Sequence, residues 1–119
     1  MKANELMLGD WVKTEAGELI VAGIGQKIYC RDDSGNPTHI WEVTTIEPIP
    51  LTKEILEKNG FDFERHAFRE DEHYALEIYI DDGVRWTINC YEYDILLLEY
   101  VHQLQHALKL CGIEKEIKL

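Results

Sequence analysis

From Tyr74 to Tyr91 apolar and polar residues alternate on both sides of an Asp81-Asp82-Gly83 turn. No other feature constrains the fold of this chain as tightly. A period of two marks strands with one buried face, and an Asp-Gly pair between two such runs marks an antiparallel hairpin. The register can be argued from the pattern. With the two-residue loop Asp82-Gly83, Ile80 faces Arg85 and Ile78 faces Thr87, mixing apolar and polar residues on each face. With the three-residue loop Asp81-Asp82-Gly83, Ile80 faces Val84, Ile78 faces Trp86, Leu76 faces Ile88 and Tyr74 faces Cys90. A one-residue slip turns every side chain over, so burial of a whole face selects the three-residue loop. Gly83 then takes the left-handed position such loops use. The opposite face carries Glu77, Tyr79, Arg85, Thr87, Asn89 and Tyr91, with Tyr79 directly across from Arg85.

The first 50 residues read as short strands between close turn signals. Trp11-Val12, Leu19 to Ile24, Ile28-Tyr29-Cys30 and His39 to Val43 are the strand runs, with Thr44 to Glu47 continuing the last. Ala16-Gly17 and the cluster Asp32-Asp33-Ser34-Gly35-Asn36-Pro37 turn between them. This spacing predicts a curved antiparallel sheet or small barrel of SH3-like form. Pro48 and Pro50 then remove backbone donors and hold the chain extended. Thr52 is placed to cap a two-turn helix. Leu51 and Leu56 stand at the spacing of a hydrophobic staple, and Gly60 is placed to end the helix in a left-handed conformation.

After Asp94, Ile95 to Leu98 fits a buried strand or a first helical turn, and a strand at 95–99 is the preferred reading. Val101, Leu104, Leu108 and Cys111 form an apolar stripe that predicts a helix over about 100–111, stopped at Gly112. Glu116 to Leu119 has the form of a closing edge strand. The expected architecture is α+β: one domain over 1–119, with an SH3-like β part at 1–50 and a helix, hairpin and C-terminal helix at 51–119.

The length of 119 residues suits one domain, and the 45% apolar content suits a packed core. The net charge of −11 repels phosphates and anionic membranes, so neither nucleic acid nor a membrane is an expected direct partner. It complements a basic protein instead. Cys30, Cys90 and Cys111 have no zinc-finger spacing and sit among apolar residues, which predicts buried reduced thiols and a cytoplasmic setting. The first residues hold no long apolar run, so no signal peptide is expected.

Three segments resemble those of a large family of small uncharacterised bacterial proteins met in gut anaerobes and their mobile elements. They are Leu8-Gly9-Asp10-Trp11-Val12, Ile46-Glu47-Pro48-Ile49-Pro50-Leu51-Thr52 with the helix ending at Gly60-Phe61, and Tyr100-Val101-His102-Gln103-Leu104-Gln105. Relatives usually continue the last motif with an Asn and aromatic residues, where this chain has His106-Ala107-Leu108. Their usual Thr-Gly-Glu ending is replaced by Cys111-Gly112-Ile113-Glu114. The resemblance implies a shared fold and carries no catalytic residues with it.

No catalytic set stands out, and no cofactor is implied. Ser34 is the only serine and lies in a turn cluster, so there is no hydrolase elbow. Gly23 and Gly25 lack the phosphate-loop lysine and the dinucleotide pattern. His102 and His106, four apart on a helix, share a face and have the spacing of a zinc or nickel site, with Glu99 joining if the helix starts early. Gln103 stands where a metalloprotease helix needs its glutamate. The plainer reading of the two histidines is a polar helix face. His66 and His73, around Glu70-Asp71-Glu72, read as a solvated charged stretch. Trp11 and Trp41 read as core. The polar hairpin face with Tyr79, Arg85 and Tyr91 is the best candidate for function, because aromatic and arginine side chains are favoured at protein interfaces. An Arg-Tyr pair stacked on an exposed sheet is its bland counterpart. The expected function is a non-enzymatic protein-binding or accessory domain. A metal-binding protein using His102 and His106 and an acidic decoy of a nucleic-acid-binding protein are the alternatives. Strand edges near 116–119 or at the hairpin could also pair two chains.

Overall fold

The computed structural model describes residues 3–64, 67–70, 73–81, 85–90, 97–110 and 114–119, and side chains at 4–38, 40–61, 98–110 and 114–119. The chain forms two compact units, Met1–Ile49 and Pro50–Leu119. Strands and helices are both present, so the fold is α+β.

In the first unit β1 (Trp11–Thr14), β2 (Gly17–Ile24), β3 (Ile28–Arg31) and β4 (Pro37–Trp41) form an open antiparallel meander in that order. The entry turn is held by the segment that precedes β1. Gly9 is left-handed at φ 92°, the Asp10 carboxylate accepts from the Met7 amide at 2.8 Å, and Gly9 and Asp10 exchange backbone bonds with Val21. Val12, Leu19, Val21, Ile28, Cys30, Ile46 and Leu6 build the core, with Trp41 and Val43 packed against it. Trp11 is buried but outside that cluster, across from the equally buried Ile20. A bulge between Val21 and Gly23 brings Tyr29 against Gly23. A Cβ at position 23 would stand 3.3 Å from the Tyr29 side chain, so this glycine serves close packing and not a phosphate loop.

The strand expected to run on through Thr44 to Glu47 does not form. Val43–Thr45 is a 3-10 turn whose last hydroxyl donates to the Glu42 carbonyl at 2.8 Å. Local hydrogen bonding by a threonine side chain offsets the β preference of this β-branched run. Beyond the turn the chain returns to β1, where Lys13 and Glu47 exchange both backbone hydrogen bonds, at 2.8 and 2.9 Å.

The second unit opens with α1 (Lys53–Lys58). The Thr52 side chain accepts from Ile55 N–H at 3.2 Å, as the cap predicts, and Gly60 ends the helix at φ 84°. Leu51 and Leu56 are both buried. β5 (Phe61–Glu64), β6 (Ala67–Glu70), β7 (His73–Asp81), β8 (Arg85–Cys90) and β9 (Leu97–Leu98) form an open antiparallel sheet in chain order. The charged stretch around Glu70 and His73 is therefore strand where it is described; His66, Asp71 and Glu72 lie outside the described residues. Of the strand expected at 95–99, Leu97–Leu98 forms β9, Glu99 lies outside it and residues 95–96 lie outside the described residues, while α2 (Val101–Leu110) matches the expected helix. Val101, Leu104, Ala107 and Leu108 form the buried stripe of α2, and Cys111 and Gly112 lie outside the described residues.

No strand forms at 114–119. The side-chain amide of Asn59 bonds both backbone groups of Lys118 at 2.7 Å. Among the described residues no helix is long and apolar enough to cross a membrane.

Burial pushes the Cys30 thiol above its ordinary value. A folded pKa above the unfolded one leaves stability intact below about pH 8.5 and removes it as pH rises from there through the folded value. The denaturation midpoint is therefore expected to fall above that pH, and part of the fall to be missing in Cys30→Ala. The comparison is made with Cys90 and Cys111 replaced by alanine in both proteins. Identical alkaline profiles would contradict the assignment.

Candidate functional site

The register of β7 and β8 sorts the hairpin completely. Leu76 lies opposite Cys90, Ile78 opposite Ile88 and Ile80 opposite Trp86. On the alternate positions Glu77 lies opposite Asn89, Tyr79 opposite Thr87 and Asp81 opposite Arg85. Ile80 lies opposite Trp86 and not Val84, and Asp81 opposite Arg85; Asp82, Gly83 and Val84 lie outside the described residues. Tyr79 and Arg85 are consequently not directly opposed. They share one side of the ladder as diagonal neighbours. Both registers keep apolar with apolar, because moving a partner by two residues preserves the face. The observed one also sets Asp81 against Arg85, an opposite-charge cross-strand pair. Tyr91 lies outside the described residues.

The same alternation runs across the unit. Phe63, Phe68, Ile78 and Ile88 form one apolar row over four strands. Asp62, Arg69, Glu77 and Asn89 form a polar row on the alternate side, in which acid, base and acid follow one another. Leu98, across from Trp86, and Phe61 belong to the apolar side and are fully buried. Across β7 and β8 the sheet thus has an apolar side and a polar side with Tyr79 on it. The charged row was missed in the sequence because 61–70 was not read as strand. The signal was present in Phe61-Asp62-Phe63-Glu64, a strict alternation.

The two helix histidines are adjacent, but not as an open ligand pair. Their ring centroids are 5.6 Å apart with planes at 77°, an edge-to-face contact. His102 is 3% exposed and stacks at 5.9 Å on Tyr100. Glu99 precedes the helix, which starts at Val101. Among the described residues no group of three or more His, Cys, Asp or Glu side chains could hold a metal ion.

Gln103 has a structural role instead. Its Oε1 accepts from the Glu99 and Tyr100 amides at 2.7 and 3.0 Å. Tyr100 is the N-cap residue, and a glutamine three places on that reaches back to the cap amide is half of a capping box. Gln103→Ala is expected to lower stability by about 1 kcal/mol, and Gln103→Glu to retain it, since it keeps the acceptor and places a negative charge at a helix N-terminus. Urea denaturation of the three proteins distinguishes this from a solvent-facing glutamine, for which all midpoints would coincide.

A cleft of about 360 Å³ in the first unit is lined by Lys13, Thr14, Glu15, Thr44, Thr45 and Glu47. The Thr14 and Thr45 hydroxyls donate to the Gly17 and Glu42 carbonyls. No family model, curated protein or solved structure matches this chain.

Proposed function

We propose that this chain is a non-enzymatic protein-binding domain whose docking surface is the polar side of the second unit's sheet, centred on Tyr79 and Arg85. One observation carries the reading: the β7–β8 register separates all apolar pairs from all polar ones and sets an aromatic residue beside a charged pair on the polar side. Tyrosine and arginine are the residue types that carry interface energy most often. The net charge of −11 favours a basic partner and rapid, salt-sensitive association.

The first unit reads as an SH3-like scaffold. Support comes from the four-strand meander, the 3-10 turn after β4 and the return to β1 through Lys13 and Glu47. A role beside a mobile element in a bacterial cytoplasm rests on the resemblance of the three segments alone.

Affinity capture from host lysate tests the reading, with nuclease treatment and mass-spectrometric detection. A protein retained by the wild type and lost with Tyr79→Ala plus Arg85→Ala is the expected result. Retention by the double variant would overturn it. A captured basic DNA-binding protein, released by salt but indifferent to Tyr79 and Arg85, would favour the acidic-decoy reading. Elemental analysis and a zinc titration of tag-free protein test the His102/His106 alternative.

A further inference from the structure

Asn59 is followed by Gly60, the one Asn-Gly pair in the chain. Asparagine is thermolabile because the backbone nitrogen of the next residue can attack its side-chain carbonyl carbon. A glycine in that next position adds no side chain to obstruct the approach. The folded second unit opposes this reaction at several points. Ring closure requires the Gly60 nitrogen and the Asn59 Cβ to eclipse about the bond between Cα and the carbonyl carbon. At ψ 16° the nitrogen is turned away from Cβ instead. The Gly60 N–H, which must lose its proton, donates to the Glu57 carbonyl at 3.2 Å. The leaving group is held twice, since Nδ2 donates to the Ile55 and Lys118 carbonyls, both at 2.7 Å. Oδ1 accepts from the Lys118 amide at 2.7 Å, which fixes the plane of the carboxamide. Asn59 is 8% exposed, so the water that the reaction consumes is largely kept out.

We infer that Asn59-Gly60 is a self-modification site, closed by the fold and opened when the end of α1 and Lys118 part. The Gly60 nitrogen, after giving its proton to hydroxide, attacks Cγ of Asn59. The N–Cγ bond forms, the Cγ–Nδ2 bond breaks, and Nδ2 takes a proton from water and leaves as ammonia. Water then opens the cyclic imide. Cleavage at Cγ gives aspartate, and cleavage at the main-chain carbonyl gives isoaspartate. Neither product fits the site. A carboxylate has no donor, so it faces the Ile55 and Lys118 carbonyls acceptor to acceptor. Isoaspartate also adds a methylene to the main chain directly before the left-handed Gly60 at φ 84°. Ile117 is buried and Lys58 donates to the Leu119 carbonyl, so the product weakens the tie to segment 114–119 and does not detach it. The reaction thus records an opening of this contact as a lasting gain of one negative charge. The inference is independent of the Tyr79 and Arg85 surface, which lies on other strands.

The test incubates the full chain at mildly alkaline pH, in buffer and in denaturing guanidinium. Conversion is followed by mass-spectrometric mapping of the proteolytic fragment that spans Asn59-Gly60. Conversion in buffer is expected to be at least about tenfold slower than in denaturant, because it waits on local opening. Lys118→Pro removes the N–H that Oδ1 accepts and is expected to speed conversion in buffer at least about threefold. Asn59→Asp reproduces the first product and is expected to lower the denaturation midpoint or to abolish cooperative unfolding. Equal wild-type rates in buffer and denaturant would overturn the inference, as would an Asn59→Asp chain with the wild-type midpoint. A folded Lys118→Pro chain that converts at the wild-type rate would place the lock elsewhere and overturn it too. The wild-type rates and the Asn59→Asp midpoint decide the matter even where Lys118→Pro does not fold.

Discussion

Phe61→Ala is expected to lower the unfolding free energy by about 3–5 kcal/mol, the largest loss from any single truncation among the described side chains of the second unit. Among the described residues Phe61 is the largest of the fully buried side chains, at 1% exposure. It begins β5 directly after the left-handed turn at Gly60, so its backbone is fixed by that turn and by the ladder to β6. A ring held this way leaves a cavity that its neighbours fill only in part, and the lost transfer energy and the cavity add. A domain of this size has about 5–15 kcal/mol to lose. Phe61→Leu keeps most of the volume and is expected to cost much less. Guanidinium denaturation followed by circular dichroism checks both; a Phe61→Ala loss below about 1 kcal/mol would mean the ring is not a core residue.

Ile28→Ala is expected to cost about 2–5 kcal/mol in the first unit, while Ile24→Ala costs within about 0.5 kcal/mol. The two isoleucines are cross-strand partners on one rung of the β2–β3 ladder. Ile28 is fully buried in the core cluster, whereas Ile24 is 41% exposed. Residue type, strand pairing and β propensity are therefore matched, and burial alone separates them. Equal losses would mean that the rung is stabilised by pairing and not by the core. The measurement is the denaturation midpoint of each variant with the slope compared, so that an altered unfolded state is recognised.

Much of this architecture was legible because its signals are local. Turn clusters and period-two runs marked β1 to β3, β7 and β8, and Thr52 and Gly60 bracketed α1. The stripe at Val101, Leu104 and Leu108 marked α2. What escaped depends on distant partners or competing local bonds. Asn59 gives no sign in the sequence that it will hold Lys118, where a strand was expected and none forms. The Thr45 hydroxyl bond to Glu42 converts an expected strand into a 3-10 turn. The hairpin register was misplaced by a shift that leaves both faces intact, which hydrophobic patterning cannot detect. In β5 and β6 the charged residues masked an alternation that Phe61, Phe63 and Phe68 carried.

The segments Leu8–Val12, Ile46–Thr52 and Tyr100–Gln105 each do structural work. Gly9 and Asp10 close the entry turn, Glu47 returns to β1 ahead of the Thr52 cap, and Gln103 caps α2. They specify connections between elements. The candidate surface was legible in its residues, Tyr79 and Arg85, but not in their pairing.

The most direct test of the protein-binding account is a calorimetric titration of the captured partner, purified, against the wild type, Tyr79→Ala, Arg85→Ala and the double variant at low and moderate salt. The account predicts one saturable site, weakened by added salt, with each single variant losing about tenfold or more in affinity, as hot-spot truncations do. Wild-type affinity in the double variant at both salt concentrations would contradict it.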